Sequence, residues 1–168
     1  MAIKRILVPL DFSHDSLNAL GYAREFAKLF KAELILVYVV EPIYYAAPAD
    51  MYVAASPNVA MLLDEQRRMG NEQLARLGAD LKKKGLRFRA MVRTGSPSQT
   101  IVALAKSGRA DLIIMATHGR TGLAHVFLGS VAEKVVRTAS CPVLTVRGAA
   151  ASKSRAPAKR RSRPKRSA

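Results

Sequence analysis

Residues 33–40 read ELILVYVV, one acidic residue followed by seven consecutive apolar ones. The run is short for a helix, and Ile35, Val37, Val39 and Val40 are β-branched, so it reads as a strand. A strand that is apolar on both faces must be covered on both. That is the situation of an interior strand in a parallel sheet with helices on either side.

The flanking segments agree with such a sheet. Ile3 to Val8 (IKRILV) is a second short apolar run, ending at Pro9. A helix is expected next, with Ser13 as its N-cap and Leu17, Leu20, Ala23, Ala27 and Phe30 recurring at spacings of three and four on one face. From Glu41 to Val59 the periodicity lapses among Pro42, Pro48 and Pro57, which predicts a long loop. Tyr44, Tyr45, Met51 and Tyr52 make that loop more apolar than a linker, so both a mobile connection and a lid over a ligand stay open.

Helical periodicity resumes from Ala60 to Lys84, with Leu63, Leu74, Leu77 and Leu81 on one face and Gly85 as the C′ residue. Leu86, Phe88, Ala90 and Val92 then alternate with Arg87, Arg89, Met91 and Arg93, a strand with one wet side and hence at a sheet edge. Ser96, Pro97 and Gln99 form a helix start of the capping-box kind. Its helix would bury Ile101, Leu104 and Ala105 and stop at Gly108. Asp111 to Ala116 (DLIIMA) is another buried strand, a helix is expected from about Val131 to Thr138, and Pro142 to Val146 is the last strand.

Alternating strands and helices predict an α/β fold: one doubly wound domain, with a five-stranded, mostly parallel sheet in the order 3-2-1-4-5 and helices on both faces. Winding reverses between the first and fourth strands. Ligands of such sheets bind beyond the carboxyl ends of the strands at that point. Pro9, Leu10 and Asp11 after the first strand and residues 117–130 after the fourth therefore converge on one crevice.

Charge divides the chain in two. Of 28 Lys and Arg residues, eight fall in residues 148–168, where there is no acidic residue. This leaves 20 basic against 12 acidic residues in 1–147, a net +8 out of the total +16. Residues 1–147 fit one domain. Residues 148–168, built of Gly, Ala, Ser, Pro, Lys and Arg, cannot bury a core and are expected to be a disordered basic tail. One cysteine, Cys141, allows no internal disulfide. No stretch reaches the ~18 apolar residues of a membrane span or resembles a signal peptide, so a soluble, cytoplasmic protein is the expectation.

The segment after the fourth strand contains Gly119, Gly122, Gly129 and Ser130, with Ser130 opening a helix. Such a loop offers backbone N–H groups and the positive end of a helix dipole, which suit phosphate. Ser130 to Glu133 also reads as a capping box, in which case the serine hydroxyl serves the helix itself. Local sequence leaves both readings standing. Three isolated histidines, no HExxH, no second cysteine, no GxGxxG after the first strand and no P-loop argue against metal enzymes, dehydrogenases and P-loop ATPases.

Met115 to Leu123 (MATHGRTGL), Leu128 to Val136 (LGSVAEKVV), Cys141 to Leu144 (CPVL) and Val8 to Ser13 (VPLDFS) together resemble the universal stress proteins, over residues 1 to about 147. In the ATP-binding branch the pattern is Gly, two residues, Gly, nine residues, Gly, then Ser or Thr. Gly119, residues 120–128, Gly129 and Ser130 match it, but Ala116 stands at the first glycine. The resemblance implies an ATP site, with or without Mg2+, in which Asp11 faces the adenosine end, Val39 contacts adenine through its backbone, and Gly119, Gly129, Ser130 and Val131 hold the phosphates. Pro9, Leu10, Met115, Ala116, His118 and Ala132 complete the candidate set. Each has a plainer reading: Asp11 capping the helix near Ser13, Val39 in the core, Gly119 and Gly122 in turns needing positive φ, His118 as a loop residue bonded to backbone.

The resemblance further implies a homodimer through the final strand, 142–146. The function expected is a dimeric stress-response or regulatory module that binds ATP, without catalytic residues and at most slowly hydrolytic. The alternatives are a nucleotide-independent interaction protein whose tail, 153–166, contacts nucleic acid or another polyanion, and a slow ATPase or nucleotidyl-transfer enzyme.

Overall fold

The computed structural model describes residues 2–42, 57–119 and 128–147. The loop predicted within 41–59 falls mostly on residues 43–56, and Gly122 and the basic tail at 148–168 likewise lie outside the described residues. The elements are β1 (Arg5–Leu10), α1 (His14–Phe30), β2 (Glu33–Val40), α2 (Pro57–Lys83), β3 (Phe88–Thr94), α3 (Pro97–Ser107), β4 (Leu112–Ala116), α4 (Ser130–Thr138) and β5 (Val143–Val146). The sheet order is β3-β2-β1-β4-β5, and every pairing is parallel.

Strand alternation sorts the core into two layers. Ile6, Val8, Leu34, Leu36, Val40 and Ile114 face α1 and α2, where they meet Leu20, Ala23, Leu74 and Leu81. Leu7, Ile35, Val37, Ile113 and Met115 face α3 and α4, against Ile101, Ala105, Ala132 and Val135. This is why β2 and β4 carry no polar alternation.

Several local expectations shift. β1 runs on through Pro9 to Leu10 instead of ending at Val8. Its pairing with β4 stops at Leu7↔Ile113, so Pro9, which has no N–H to give, lies past the paired stretch on that side. The buried face of α1 is Ser16, Ala19, Leu20, Ala23 and Ala27; Leu17 and Phe30 are about 40% exposed, one position round the helix from that stripe. α2 begins at Pro57, inside the expected loop. Gly85 takes the left-handed C′ conformation, φ 69°, with Leu86 N donating to Leu81 O at 3.0 Å, as expected of a helix stop. β3 is an edge strand whose faces both touch core: Phe88 and Val92 pack on the α1/α2 side and Met91 on the other.

The two serine starts behave differently. Ser13 caps α1, its hydroxyl accepting from Ser16 N at 3.2 Å with ψ 159°. Ser96 occupies the equivalent position before α3 with ψ 122°, and its side chain makes no capping bond. The expected box with Gln99 is therefore absent there.

Candidate functional site

The carboxyl ends of β1, β2 and β4 open on a cleft of about 750 Å3. The cleft forms where β1 and β4 separate. Pro9, Leu10 and Asp11 come from the end of β1, Val39 from β2, and Met115, Ala116, His118 and Gly119 from β4 and the residues after it. Gly129, Ser130, Val131 and Ala132 bring the start of α4 to the same space. All twelve candidate residues line one cavity.

Asp11 is held in place by its own turn. Its Oδ1 accepts from Ser13 N at 3.0 Å and from Ser13 Oγ at 2.6 Å, while that same hydroxyl caps α1. Phe12 between them has φ 62°, a left-handed conformation that is costly for an L residue, and its ring packs on Tyr38 with centroids 4.8 Å apart. Tyr38 is in turn covered by α2 at Gly70, where a Cβ would overlap the ring. The result is a carboxylate fixed on the cleft wall. The cap is Ser13 and Asp11 buttresses it, so the carboxylate serves the turn and the cleft at once.

The opposite wall is built on close approach. A Cβ at Gly119 would sit 2.9 Å from Asp11 Oδ2, so the glycine is demanded by space; it is not among the positive-φ residues. Gly129 N donates to Thr117 O at 2.8 Å, and a Cβ at Gly129 would lie 3.0 Å from that oxygen. Thr117–Gly119 and Leu128–Gly129 are thus stapled together at the mouth of the cleft. His118 Nδ1 lies 2.9 Å from Thr117 Oγ1.

Gly129, with ψ 153°, is the N-cap of α4, and Ser130 is the first helical residue. The expected Ser130–Glu133 capping box is consequently not formed. The Ser130 side chain is exposed on the cleft, and the amides of Ser130, Val131 and Ala132 precede the first helical bond, Glu133 N to Gly129 O at 2.9 Å. Those three amides have no acceptor within the helix. Val39 divides its surface between the α3/α4 core and the cleft, and Ala116, 8% exposed, ends β4 opposite Val146.

Among the described residues nine more line the cleft: Ser16, Val37, Tyr38, Glu41, Pro42, Gln66, Pro97, Ile101 and Thr117. Val37 was reachable from sequence, being two residues from Val39 on the same strand face. Gln66 had no such signal, because residues 43–56 separate its helix from β2. Among the described residues no cluster of three or more His, Cys, Asp or Glu side chains could hold a metal ion. Burial, with the Asp111 carboxylate nearby, pushes the Cys141 thiol up and disfavours the reactive thiolate.

The sequence model of the universal stress protein family matches residues 2–147. The chain belongs to the universal stress protein family. Universal stress protein MJ0531 of Methanocaldococcus jannaschii is 37% identical over 145 residues, which are 86% of this chain and 82% of that one. The solved structure of UspA from Lactobacillus plantarum superposes with a TM-score of 0.78 at 27% identity, covering 88% of this chain and 99% of the other. A universal stress protein in complex with cAMP gives a TM-score of 0.66 at 25% identity, covering 88% and 99%. Family membership accounts for the fold. Among the described residues no helix is long and apolar enough to cross a membrane.

Proposed function

We propose that the cleft binds an adenine nucleotide, ATP in the first instance, and that the protein works as a regulatory module of the stress response. The observation that carries this reading is the start of α4: three helix-end amides and an exposed serine hydroxyl open on the same cavity as a fixed carboxylate 2.9 Å from the space a side chain at Gly119 would fill. Amides at a helix N-terminus suit phosphate oxygens, and a carboxylate suits ribose hydroxyls. Val37, Val39, Ile101 and Met115 supply an apolar floor for a base. A cAMP complex among related structures supports the same class of ligand.

Hydrolysis would be slow. Asp11 and Glu41 are the only carboxylates among the described lining residues, and Asp11 Oδ1 already accepts two hydrogen bonds from Ser13. Any Mg2+ would take most of its ligands from phosphates and water, with Asp11 as the nearest protein group. The site fits binding better than turnover.

The test is to release ligand from the purified protein by denaturation, chromatograph it for adenine nucleotides, and titrate the apo protein with ATP. Absence of binding in both would overturn the reading. Ala116 in place of glycine favours a second reading, a protein that acts by contacts without nucleotide, and the same titration separates the two.

The contact surface in either case is the open edge of β5. Ile113 N donates to Pro142 O and Thr117 N to Val146 O, each at 3.0 Å, so alternation turns the backbone groups of Val143 and Thr145 outward. An apolar edge of this kind pairs readily with a second copy. Thr145→Pro removes an outward donor while sparing the β4–β5 rungs. Light scattering is expected to show a monomer for the variant and a dimer for the parent; the same dimeric mass in both would refute pairing through this edge.

A further inference from the structure

Because every strand pairing is parallel, the strands start and the helices end at one edge of the sheet, opposite the cleft. Residues 2–5, 28–33, 80–89, 106–111 and 137–142 form that edge and carry twelve basic and three acidic residues, a net +9. The described segments at the carboxyl edge, 10–15, 40–42, 57–68, 93–97, 116–119, 128–134 and 146–147, carry five basic and six acidic residues. The excess charge of residues 1–147 therefore lies on the face away from the cleft. Asp50 and Arg120, the charged residues of 43–56 and 120–127, cancel in this balance.

Helix ends explain part of the pattern, since Lys28, Lys82, Lys83, Lys106 and Arg137 stand in last turns, where a cation offsets the helix dipole. Four others have no such reason. Arg87, Lys31, Lys4 and Arg109 stand within three residues ahead of β3, β2, β1 and β4, which are neighbours in that order. Leu34 N donates to Arg87 O at 2.9 Å, Glu33 N to Lys4 O at 2.8 Å, and Arg87 Nη2 to Lys31 O at 2.6 Å, which ties the row together. With strands ~4.8 Å apart, the row is about 14 Å long. Lys31 and Arg109 have φ of 52° and 48°, a conformation that favours glycine and that Gly85 takes at the end of α2. Two cations are thus kept where the backbone would be easier without them. The three acidic residues of this edge are already engaged. Asp111 Oδ2 accepts from Lys4 N and Arg5 N at 2.8 and 2.9 Å, Glu33 meets Arg89 at 3.3 Å, and Asp80 lies between Arg24 and Lys84. Among the described residues Lys4, Lys31 and Arg109 form no ion pair.

We propose that this amino edge binds the phosphate backbone of a nucleic-acid duplex without reading its sequence. A linear row of cations suits a linear array of phosphates. A duplex carries one negative charge per ~1.7 Å of axis, so a 14 Å row faces about four phosphates of each strand. The six residues of β1 separate this edge from the cleft by about 20 Å, so the two surfaces act independently and this inference does not rest on nucleotide binding.

The experiment titrates labelled duplexes of DNA and RNA, of mixed sequence, with the full-length protein over a range of salt concentrations. One variant carries Lys4→Gln, Lys31→Gln and Arg109→Gln; a control loses the same charge away from this edge through Arg76→Gln, Arg93→Gln and Lys134→Gln. Residues 148–168 are intact in all, so their own attraction is common to every measurement. The expected result for the first variant, with either duplex, is affinity about ten-fold weaker at low salt and a log–log salt slope smaller by about three, while the control stays near the parent. Equal losses in the two variants would assign the effect to overall charge and overturn the inference, as would a first variant that binds like the parent. Lys31→Gly with Arg109→Gly separates binding from folding. Weaker duplex binding with a melting temperature equal to or above the parent's is expected, because glycine relieves both left-handed positions; a lower melting temperature would show that these side chains serve the fold and overturn the inference. Leu29 and Phe30 are exposed at the end of α1, so vesicles of phosphatidylserine and phosphatidylcholine are titrated in parallel. A first variant that loses vesicle binding but keeps duplex binding would make the partner an anionic lipid surface and overturn the nucleic-acid assignment.

Discussion

Strand β1 has two neighbours and is joined to them unequally. It pairs with β2 over six residues, Arg5↔Glu33 to Leu10↔Tyr38, but with β4 over only two, Ile6↔Leu112 and Leu7↔Ile113. On the β2 side, α2 covers β2 and β3 with Leu74 and Leu81, while α1 lies over β1 and β4 with Leu20 and Ala23. On the β4 side the strands part after Leu7, and the space between their ends is the cleft. One strand therefore anchors the fold along one edge and opens the site along the other. The reversal of winding at β1 makes this difference unavoidable, because the chain leaves β1 and β4 toward opposite faces of the sheet.

The largest effect is expected where both ladders still hold. Leu7 is fully buried and lies in the last paired position with β4, so Leu7→Ala should lower unfolding free energy by about 2–5 kcal/mol in urea titrations. A loss below ~1 kcal/mol would mean that the junction carries little of the stability. Beyond that point the cleft takes over. Gly119→Val places a side chain against an Asp11 carboxylate that Ser13 holds by two bonds and that cannot simply swing away. Nucleotide affinity is expected to fall about 30-fold, with stability nearly unchanged because Gly119 is exposed. Unaltered affinity, measured by titration calorimetry, would move the ligand away from this wall.

Ala116→Gly probes the same opening from its floor. Removing the methyl at the end of β4 should raise nucleotide affinity a few-fold, at about 0.5–1 kcal/mol of stability for a glycine in a strand. Weaker binding than the parent would show that the methyl contacts the ligand productively. The smallest effect lies on the closed side, where Arg24 of α1 meets Asp80 of α2 at 3.0 Å. The hydrogen bond from Lys84, followed by the charges of Lys84, Arg24 and Lys83, holds the Asp80 carboxyl below its ordinary range. A depressed carboxyl contributes stability above the ordinary carboxylate pKa and loses it as pH falls through the lowered value. Asp80→Asn should accordingly lower stability slightly at neutral pH, leave it unchanged once the parent's carboxyl is protonated, and so flatten the acid limb of the stability curve below about pH 4. An acid limb identical to the parent's would remove this pair from the account.

Much of this architecture was readable in the chain. Continuous apolar runs at 34–40 and 112–116 required a sheet covered on both faces, and the alternation of strands and helices then led to the strand order. Pro9 misled the boundary of β1, since its missing N–H matters only where a rung is needed, and on the β4 side none is needed past Leu7. Ser96 and Ser130 both read as caps, and neither side chain makes a capping bond: Ser96 holds the N-cap position without one, and at Ser130 Gly129 takes the cap position and leaves the serine hydroxyl to the cleft.

Sequence by itself determined the α/β fold and the split of charge between residues 1–147 and 148–168, because hydrophobic period and composition are local properties. Which residues become neighbours across the cleft was decided only by the tertiary structure. Asp11 and Gly119 stand more than a hundred residues apart, and Thr117 and Gly129 are joined by a backbone hydrogen bond across the mouth of the site. Spacing can flag a glycine; only the packed fold shows whether a positive φ or a neighbouring atom requires it.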